Sequence, residues 1–164
     1  MRYVLELEPD YHPARVNLVS LLTEEGLTEE AAHRVAEGLS IHPGDPELLC
    51  AQGLLAMEDG DLGAARLAFD AALDGDPRHA AALANRAVLH AETGDHPAAL
   101  ADLTRAIDVT GDDPDLLFNR GYVHQAAGDP GAAAADYRRA ARLPGADQEA
   151  IAERLAQCLQ AELA

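Results

Sequence analysis

Apolar residues along this chain follow a helical period. Ala31, Val35 and Gly38 are spaced by four and three, which places them on one face of an α-helix. The same spacing returns at a constant interval along the chain, in the triplets Ala65/Phe69/Ala72, Ala99/Leu103/Ala106 and Ala133/Tyr137/Ala140. The segment before each triplet has few helix breakers and no run of β-branched residues. The pattern therefore predicts two helices in each repeating unit.

A glycine separates the two predicted helices of each unit. The aligned positions are Gly26, Gly60, Gly94 and Gly128. Glycine readily takes the left-handed conformation that ends many helices. The second helix should then begin at a capping side chain. The expected caps are Thr28, Asp61, Asp95 and Asp129, and the residues that stop the second helix are Pro43, Pro77, Gly111 and Gly145.

Mostly small residues occupy one column of the first helices, namely Val19, Gly53, Ala87 and Gly121. Small residues at this place let two helices pack closely as an antiparallel pair. Together with the loop glycines, the Ala column, the Phe69/Tyr137 column and the closing prolines, this column resembles the tetratricopeptide repeat (TPR) family. The resemblance implies an all-α fold, a right-handed α-solenoid of stacked antiparallel helix pairs. One departure is that the aromatic residue usual at the start of the first helix is replaced by Arg15, Leu49, Leu83 and Leu117.

The resemblance divides the chain into four full repeats, at residues 12–45, 46–79, 80–113 and 114–147. Residues 1–11 match the end of a second helix from a preceding repeat, and residues 148–164 match a C-terminal capping helix. An array that begins inside a repeat exposes an apolar face. We therefore expect the protein to self-associate, or to be capped by a partner, through its N-terminal end.

Composition narrows the classes of partner. The 164 residues are 48% hydrophobic but only 4% aromatic, which favours closely packed helices over a sheet. The formal charge is −17, and all 12 basic residues other than histidine are arginine. Such a chain repels nucleic acid and anionic membranes and attracts basic partners. Two cysteines and the lack of a signal peptide or membrane span lead us to expect a cytoplasmic protein.

The candidate binding surface is a groove on the concave face of the array. Its predicted residues are Asn17, Leu54, Met57, Asn85, Val88, Phe118, Asn119, Tyr122 and Gln125, with an acidic edge at Glu24, Glu58 and Glu92. The resemblance implies that asparagines in this column bind the backbone of a peptide. The acids would select a basic segment. Alternatively, the asparagines serve local packing and the glutamates only reflect the general acidity of the chain.

Two other columns have simpler explanations. His90, His124 and Cys158 recur at the interval of the repeat, but neighbouring helix axes lie roughly 8–10 Å apart, too far for side chains of successive units to share one zinc ion. We interpret them as packing residues and expect no metal site. Arg86 and Arg120 each precede an aspartate on the next helix, Asp102 and Asp136, by the same separation, and we expect ion pairs there.

No catalytic or nucleotide-binding motif is present, so we expect no enzyme activity and no cofactor. The sequence predicts a protein–protein interaction module that binds a peptide or partner domain, apolar or basic in character, in its concave groove. The alternative is a structural unit that self-associates through its uncapped N-terminal end or regulates a larger protein. A carboxylate-gripping clamp of the co-chaperone type is disfavoured, because the chain has no lysine.

Overall fold

The computed structural model describes residues 12–162, which form helices and no strand. The helices are α1 (His12–Glu24), α2 (Thr28–Ile41), α3 (Pro46–Glu58), α4 (Leu62–Gly75), α5 (Ala80–Glu92), α6 (His96–Thr110), α7 (Pro114–Ala126), α8 (Pro130–Ala140) and α9 (Gln148–Glu162). They belong to two compact units that meet in the chain between Ala82 and Leu83. The residues predicted as a helix remnant, 1–11, lie outside the described part, and so does the predicted N-terminal association surface.

The first unit is built from adjacent helix pairs. Helix α1 packs on α2 and α3 on α4, while α2 also packs on α3. Short turns join α1 to α2 and α3 to α4, so each pair is antiparallel. The core cluster of this unit consists of Leu18, Val19, Leu22, Ala31, Val35, Leu48 and Leu55.

The second unit continues the same arrangement. Helix α6 packs on α7, α7 on α8, and α8 on α9. The residues at the predicted contact columns are buried, namely Leu83, Ala87, Leu103, Ala106, Leu117, Tyr137 and Ala140. The predicted all-α fold of adjacent helix pairs is confirmed. None of the helices within residues 12–162 has the length and apolar character needed to cross a membrane.

The turns follow the predicted chemistry with one exception. The four loop glycines have φ between 70° and 81°, the region in which a side chain would be strained. Asp61, Asp95 and Asp129 each accept a hydrogen bond from the backbone N–H three residues on, at 2.9, 3.2 and 2.9 Å. The predicted cap at Thr28 is wrong, because Thr28 is the first residue of α2 and Leu27 precedes it with no side-chain cap. The register explains this difference, since Leu27 and not Thr28 stands one repeat before Asp61.

Small and large residues face each other within the pairs. A Cβ atom added to Gly53 would lie 2.4 Å from Cε1 of Phe69, and one on Gly121 would lie 2.8 Å from Cε1 of Tyr137. Real side chains do not approach so closely, so an aromatic ring on the second helix requires glycine on the first. In the other two pairs the large residue is aliphatic, and the facing residues are Val19/Val35 and Ala87/Leu103.

Both predicted ion pairs are confirmed. Arg86 donates to Asp102 at 2.7 and 2.8 Å, and Arg120 donates to Asp136 at 2.8 and 2.7 Å. The hydrogen bonds to Asp136 raise the pKa of Arg120 above its ordinary value. The two aspartates are only 3% and 6% exposed, so removing either arginine would leave a buried carboxylate without this partner.

One buried charge replaces an expected aromatic residue. Arg15 is buried at the start of α1, and its guanidinium lies 3.8 Å from a carboxylate oxygen of Glu37. Its methylene stem covers the backbone of Gly38, where an added Cβ would lie 2.6 Å from the Arg15 Cδ. The aliphatic part of Arg15 thus fills the space and its charged end pairs near the surface.

The close contact between Gly53 and Phe69 can be tested by enlarging the first residue and reducing the size of the second. Gly53→Ala should reduce the free energy of unfolding by about 1–3 kcal/mol, because the added methyl group meets the ring. In a Phe69→Leu background the same change should cost much less, since Ala and Leu form the corresponding pair at Ala87 and Leu103. Urea unfolding of the four proteins measures the coupling.

Gly63→Ala is a matched control. Its added Cβ would meet Asp61 at 3.4 Å, which is an ordinary contact, so stability should be kept or slightly increased. Strictly additive effects of Gly53→Ala and Phe69→Leu would show that the two side-chain positions do not constrain each other.

Candidate functional site

A cavity of about 270 Å³ opens on the second unit, among α5, α6 and α7. Its lining residues are Ala87, Val88, Ala91, Glu92, Leu103, Asn119, Tyr122 and Val123. Ala87, Leu103 and Val123 are buried and form the apolar bottom. Val88 and Tyr122 stand at the opening and are 37% and 45% exposed. The cavity therefore offers apolar surface to a group that enters from solvent.

Three polar groups at this cavity have no partner within the described residues. The side-chain amide of Asn119, the hydroxyl of Tyr122 and the carboxylate of Glu92 make no hydrogen bond or ion pair in residues 12–162. The Tyr122 ring itself is covered on one face, since the Cζ atom of Arg154 lies 5.0 Å from the ring centroid. An apolar cavity with a few unsatisfied polar groups at its opening is the usual form of a binding site.

Two predicted groove residues are used inside the protein instead. The hydroxyl of Tyr137 donates to Oε1 of Gln125 at 3.2 Å, and Nε2 of Gln125 donates to Oε1 of Gln157 at 3.1 Å. The ring of Phe118 lies 5.4 Å from that of Tyr137. Gln125 and Phe118 thus lie on the α8 side of α7 and not at the cavity.

Tyr137 is the buried centre of this group. Its side chain is fully buried, and this burial raises the pKa of Tyr137 to about 12, because the phenolate would lose its hydration. The protonated hydroxyl can donate to Gln125, whereas a phenolate could not. The network therefore depends on Tyr137 remaining neutral.

The remaining predicted groove residues do not line this cavity. In the first unit, Asn17, Glu24 and Glu58 are exposed, and Leu54 and Met57 are half-buried. Asn85 in the second unit is half-buried and has a partner of its own. Of the predicted set, the cavity brings together Val88, Glu92, Asn119 and Tyr122.

Ala91, Leu103 and Val123 also line the cavity, although the sequence pattern did not predict them as groove residues. Ala91 and Val123 are neighbours of Val88 and Tyr122 on the same helices, so helical spacing could have suggested them. Leu103 belongs to the core column and is almost fully buried, so helical spacing gave no sign that it lines the cavity.

The column of His90, His124 and Cys158 contains two half-buried histidines and a fully buried cysteine. Within the described part of the chain, no three His, Cys, Asp or Glu side chains are grouped so that they could hold a metal ion.

The family model of the tetratricopeptide repeat matches residues 50–115 and 93–150. The chain belongs to the tetratricopeptide repeat family. No curated protein sequence matches the TPR chain in a direct search.

Solved structures support the TPR fold. The structure of PilF from Pseudomonas aeruginosa aligns with a TM-score of 0.83 at 22% identity, over 92% of this chain and 68% of that protein. TTC0263, a TPR protein of Thermus thermophilus, aligns with a TM-score of 0.78 at 19% identity, over 97% and 87%. One chain in the structure of the Cut9–Hcn1 hetero-tetramer of the APC/C aligns with a TM-score of 0.82 at 19% identity, over 90% of this chain and 30% of that chain.

The TPR fold generally mediates interactions between proteins, and the family typically provides scaffolds without catalytic activity. TPR domains accordingly bind protein partners. Because the three structures share so little sequence identity with this chain, the comparison establishes the fold and gives no information about particular partners.

The raised pKa of Tyr137 predicts how stability changes at high pH. The folded state favours the neutral hydroxyl, so the contribution of Tyr137 to stability is complete below pH ~10, the ordinary pKa of tyrosine, and is lost as the pH rises toward about 12. Urea unfolding between pH 9 and 12 should show a steeper decline for the wild type than for Tyr137→Phe.

Tyr122→Phe serves as the control, since its hydroxyl has no partner in the described structure. It should keep the wild-type slope. Equal slopes for Tyr137→Phe and the wild type would contradict the assignment of a neutral buried hydroxyl.

Proposed function

We propose that this protein binds a segment of a partner protein at the cavity among α5, α6 and α7. The observation that carries the proposal is the combination of an apolar cavity with three polar side chains that have no hydrogen-bond or ion-pair partner within residues 12–162, Glu92, Asn119 and Tyr122. A volume of about 270 Å³ lies just below the range of roughly 300–1,000 Å³ that holds small-molecule ligands. The cavity therefore suits a side chain of a partner better than a complete metabolite.

The apolar lining selects the part of the partner that enters. A large aliphatic or aromatic side chain would displace water from Val88, Ala91 and Tyr122 and would gain about 25 cal/mol for each Å² of apolar surface removed from water. Val88 and Tyr122 would close around it at the opening. Their partial exposure in the unbound protein is the surface that binding would cover.

Asn119 and Glu92 provide direction and charge selection. The amide of Asn119 can both donate to and accept from the backbone of an extended segment. The carboxylate of Glu92 stands at the C-terminal end of α5, where it opposes the helix dipole, and a cation beside it would relieve that repulsion. We therefore propose a partner segment with a large apolar side chain next to an arginine or lysine.

The charge of the second unit agrees with this partner. Residues 83–164 contain 7 arginines against 13 aspartates and glutamates. A basic segment is attracted to this surface at low ionic strength, and the attraction weakens when salt screens it.

Selection from a displayed library of random peptides tests the apolar part of the proposal. Enriched peptides should place a large apolar residue beside arginine or lysine. Asn119→Ala should weaken the best peptide several-fold, because one hydrogen bond contributes about 0.5–1.5 kcal/mol. Tyr122→Ala should weaken it on the order of tenfold, since it removes a wall of the cavity. Fluorescence anisotropy measures both.

Gln52→Ala, an exposed amide on α3, is the control and should leave the affinity unchanged. Peptides that bind Asn119→Ala and Tyr122→Ala as tightly as the wild type would place the binding surface elsewhere on the protein.

Glu92→Gln tests the charge selection separately. The substitution should weaken a basic peptide and should reduce the dependence of its affinity on salt concentration. Glu25→Gln changes the net charge by the same amount at an exposed site in the first unit and should have little effect. Identical salt dependence in the wild type and Glu92→Gln would refute a role of Glu92 in charge selection.

A further inference from the structure

Helix α9 repeats the register of α7. Asp113 caps α7 by accepting from the N–H groups of Asp115 and Leu116, both at 3.0 Å. Asp147, at the same place in the next unit, caps α9 by accepting from the N–H groups of Glu149 and Ala150 at 3.1 and 3.0 Å. Each position on α9 therefore corresponds to a known position on α7.

The face of α7 that packs on α8 is defined by its contacts with Asp136 and Tyr137. Arg120 pairs with Asp136, while Gly121, Phe118 and Gln125 all contact Tyr137. Helix α7 thus binds α8 through the ion pair of Arg120 and Asp136. The next residue of each helix adds a close contact between a small and a large residue, Gly121 and Tyr137.

The corresponding residues of α9 are Ala152, Arg154, Leu155 and Leu159, which we term the open face. Ala152 is exposed, Leu159 is 46% exposed, and Arg154 and Leu155 are half-buried. Ile151 and Cys158, also on α9, are buried instead, and α9 packs on α8. The open face carries apolar side chains at the positions that α7 uses to hold its second helix.

Arg154 strengthens the comparison. In the same column Arg86 and Arg120 each bind an aspartate through two hydrogen bonds. Arg154 pairs with no carboxylate in residues 12–162. Its guanidinium lies against the ring of Tyr122 and donates weakly to Gln157 Oε1 at 3.4 Å. A cation at this position of the repeat has the geometry to bind a carboxylate through paired hydrogen bonds.

We propose that the open face binds an amphipathic α-helix of a partner protein, in the position that α8 takes on α7. The partner helix supplies an aspartate or glutamate to Arg154. The residue after this acid is small, because Leu155 occupies the place where Gly121 makes room for Tyr137. This site is distinct from the cavity, because it requires a helix that places one carboxylate opposite Arg154, whereas the cavity requires a basic segment.

A helical peptide made from residues 129–143 of this chain, with Tyr137→Ala, is a suitable probe. It contains the aspartate that pairs with Arg120, followed by a small residue, and it is stapled on the side away from that aspartate to hold the helix. Fluorescence anisotropy should show saturable binding to the full protein. Arg154→Gln and Leu159→Glu should each weaken it on the order of tenfold.

The charge changes separate specific from non-specific binding. The peptide is net basic and the protein is acidic, so general attraction would become stronger when Arg154→Gln removes a positive charge from the protein. The same holds for Asp136→Asn in the peptide. Our proposal expects both changes to weaken binding, and expects the two together to cost no more than either alone. Arg142→Gln in the protein, not in the peptide, is the control for net charge. Arg142 lies outside the open face, so this substitution should not weaken binding.

Absence of saturable binding, or tighter binding after either substitution, would overturn the proposal. Sedimentation of the protein alone provides a second test. A dimer that Leu159→Glu dissociates would show that a second copy of this chain covers the open face, and would overturn the assignment of a partner helix. Leu159 is exposed, so this variant is expected to fold.

Discussion

The distance between the two helices of a repeat is set by a small residue on the first helix facing a large residue on the second. At Gly121 the backbone itself is the surface against which the ring of Tyr137 packs. Because Arg120 and Asp136 are the adjacent residues, this close approach also brings their charged groups within hydrogen-bond distance. The apolar contact therefore positions the ion pair, and the ion pair orients the two helices about the contact.

The sizes of the residues in this contact differ between repeats, and a cavity lies beside one pair that has no aromatic ring. Where the pair is Ala87 and Leu103, no aromatic ring fills the space, and both residues line a cavity. Tyr122 and Val88 project beside it from α7 and α5. We propose that a partner side chain gains at this cavity the apolar contact that the protein does not make internally.

Two arginines at equivalent positions of the repeat, Arg120 and Arg154, lie in different environments. Arg120 faces a following helix and is held by Asp136, whereas Arg154 lies on α9 and rests against Tyr122. Since Tyr122 also borders the cavity, Arg154 connects the two surfaces that we propose for partners. A carboxylate that draws Arg154 away from the ring would uncover one face of Tyr122, so we expect binding at one proposed surface to change the affinity of the other.

The sequence by itself determined the helix pairs, the aspartate caps and the two Arg–Asp pairs, because these depend on local spacing and on a register that repeats at a constant interval. The prediction from sequence was wrong at Thr28, because the position one repeat before Asp61 is Leu27, which has no capping side chain. Only the tertiary structure decided which polar groups remain available. Gln125 is hydrogen-bonded to Tyr137 and to Gln157, which lies on another helix, while the amide of Asn119 makes no hydrogen bond within residues 12–162. Periodicity assigns a residue to a face of its helix, but whether its hydrogen bonds are already satisfied depends on side chains that the folded helices bring beside it.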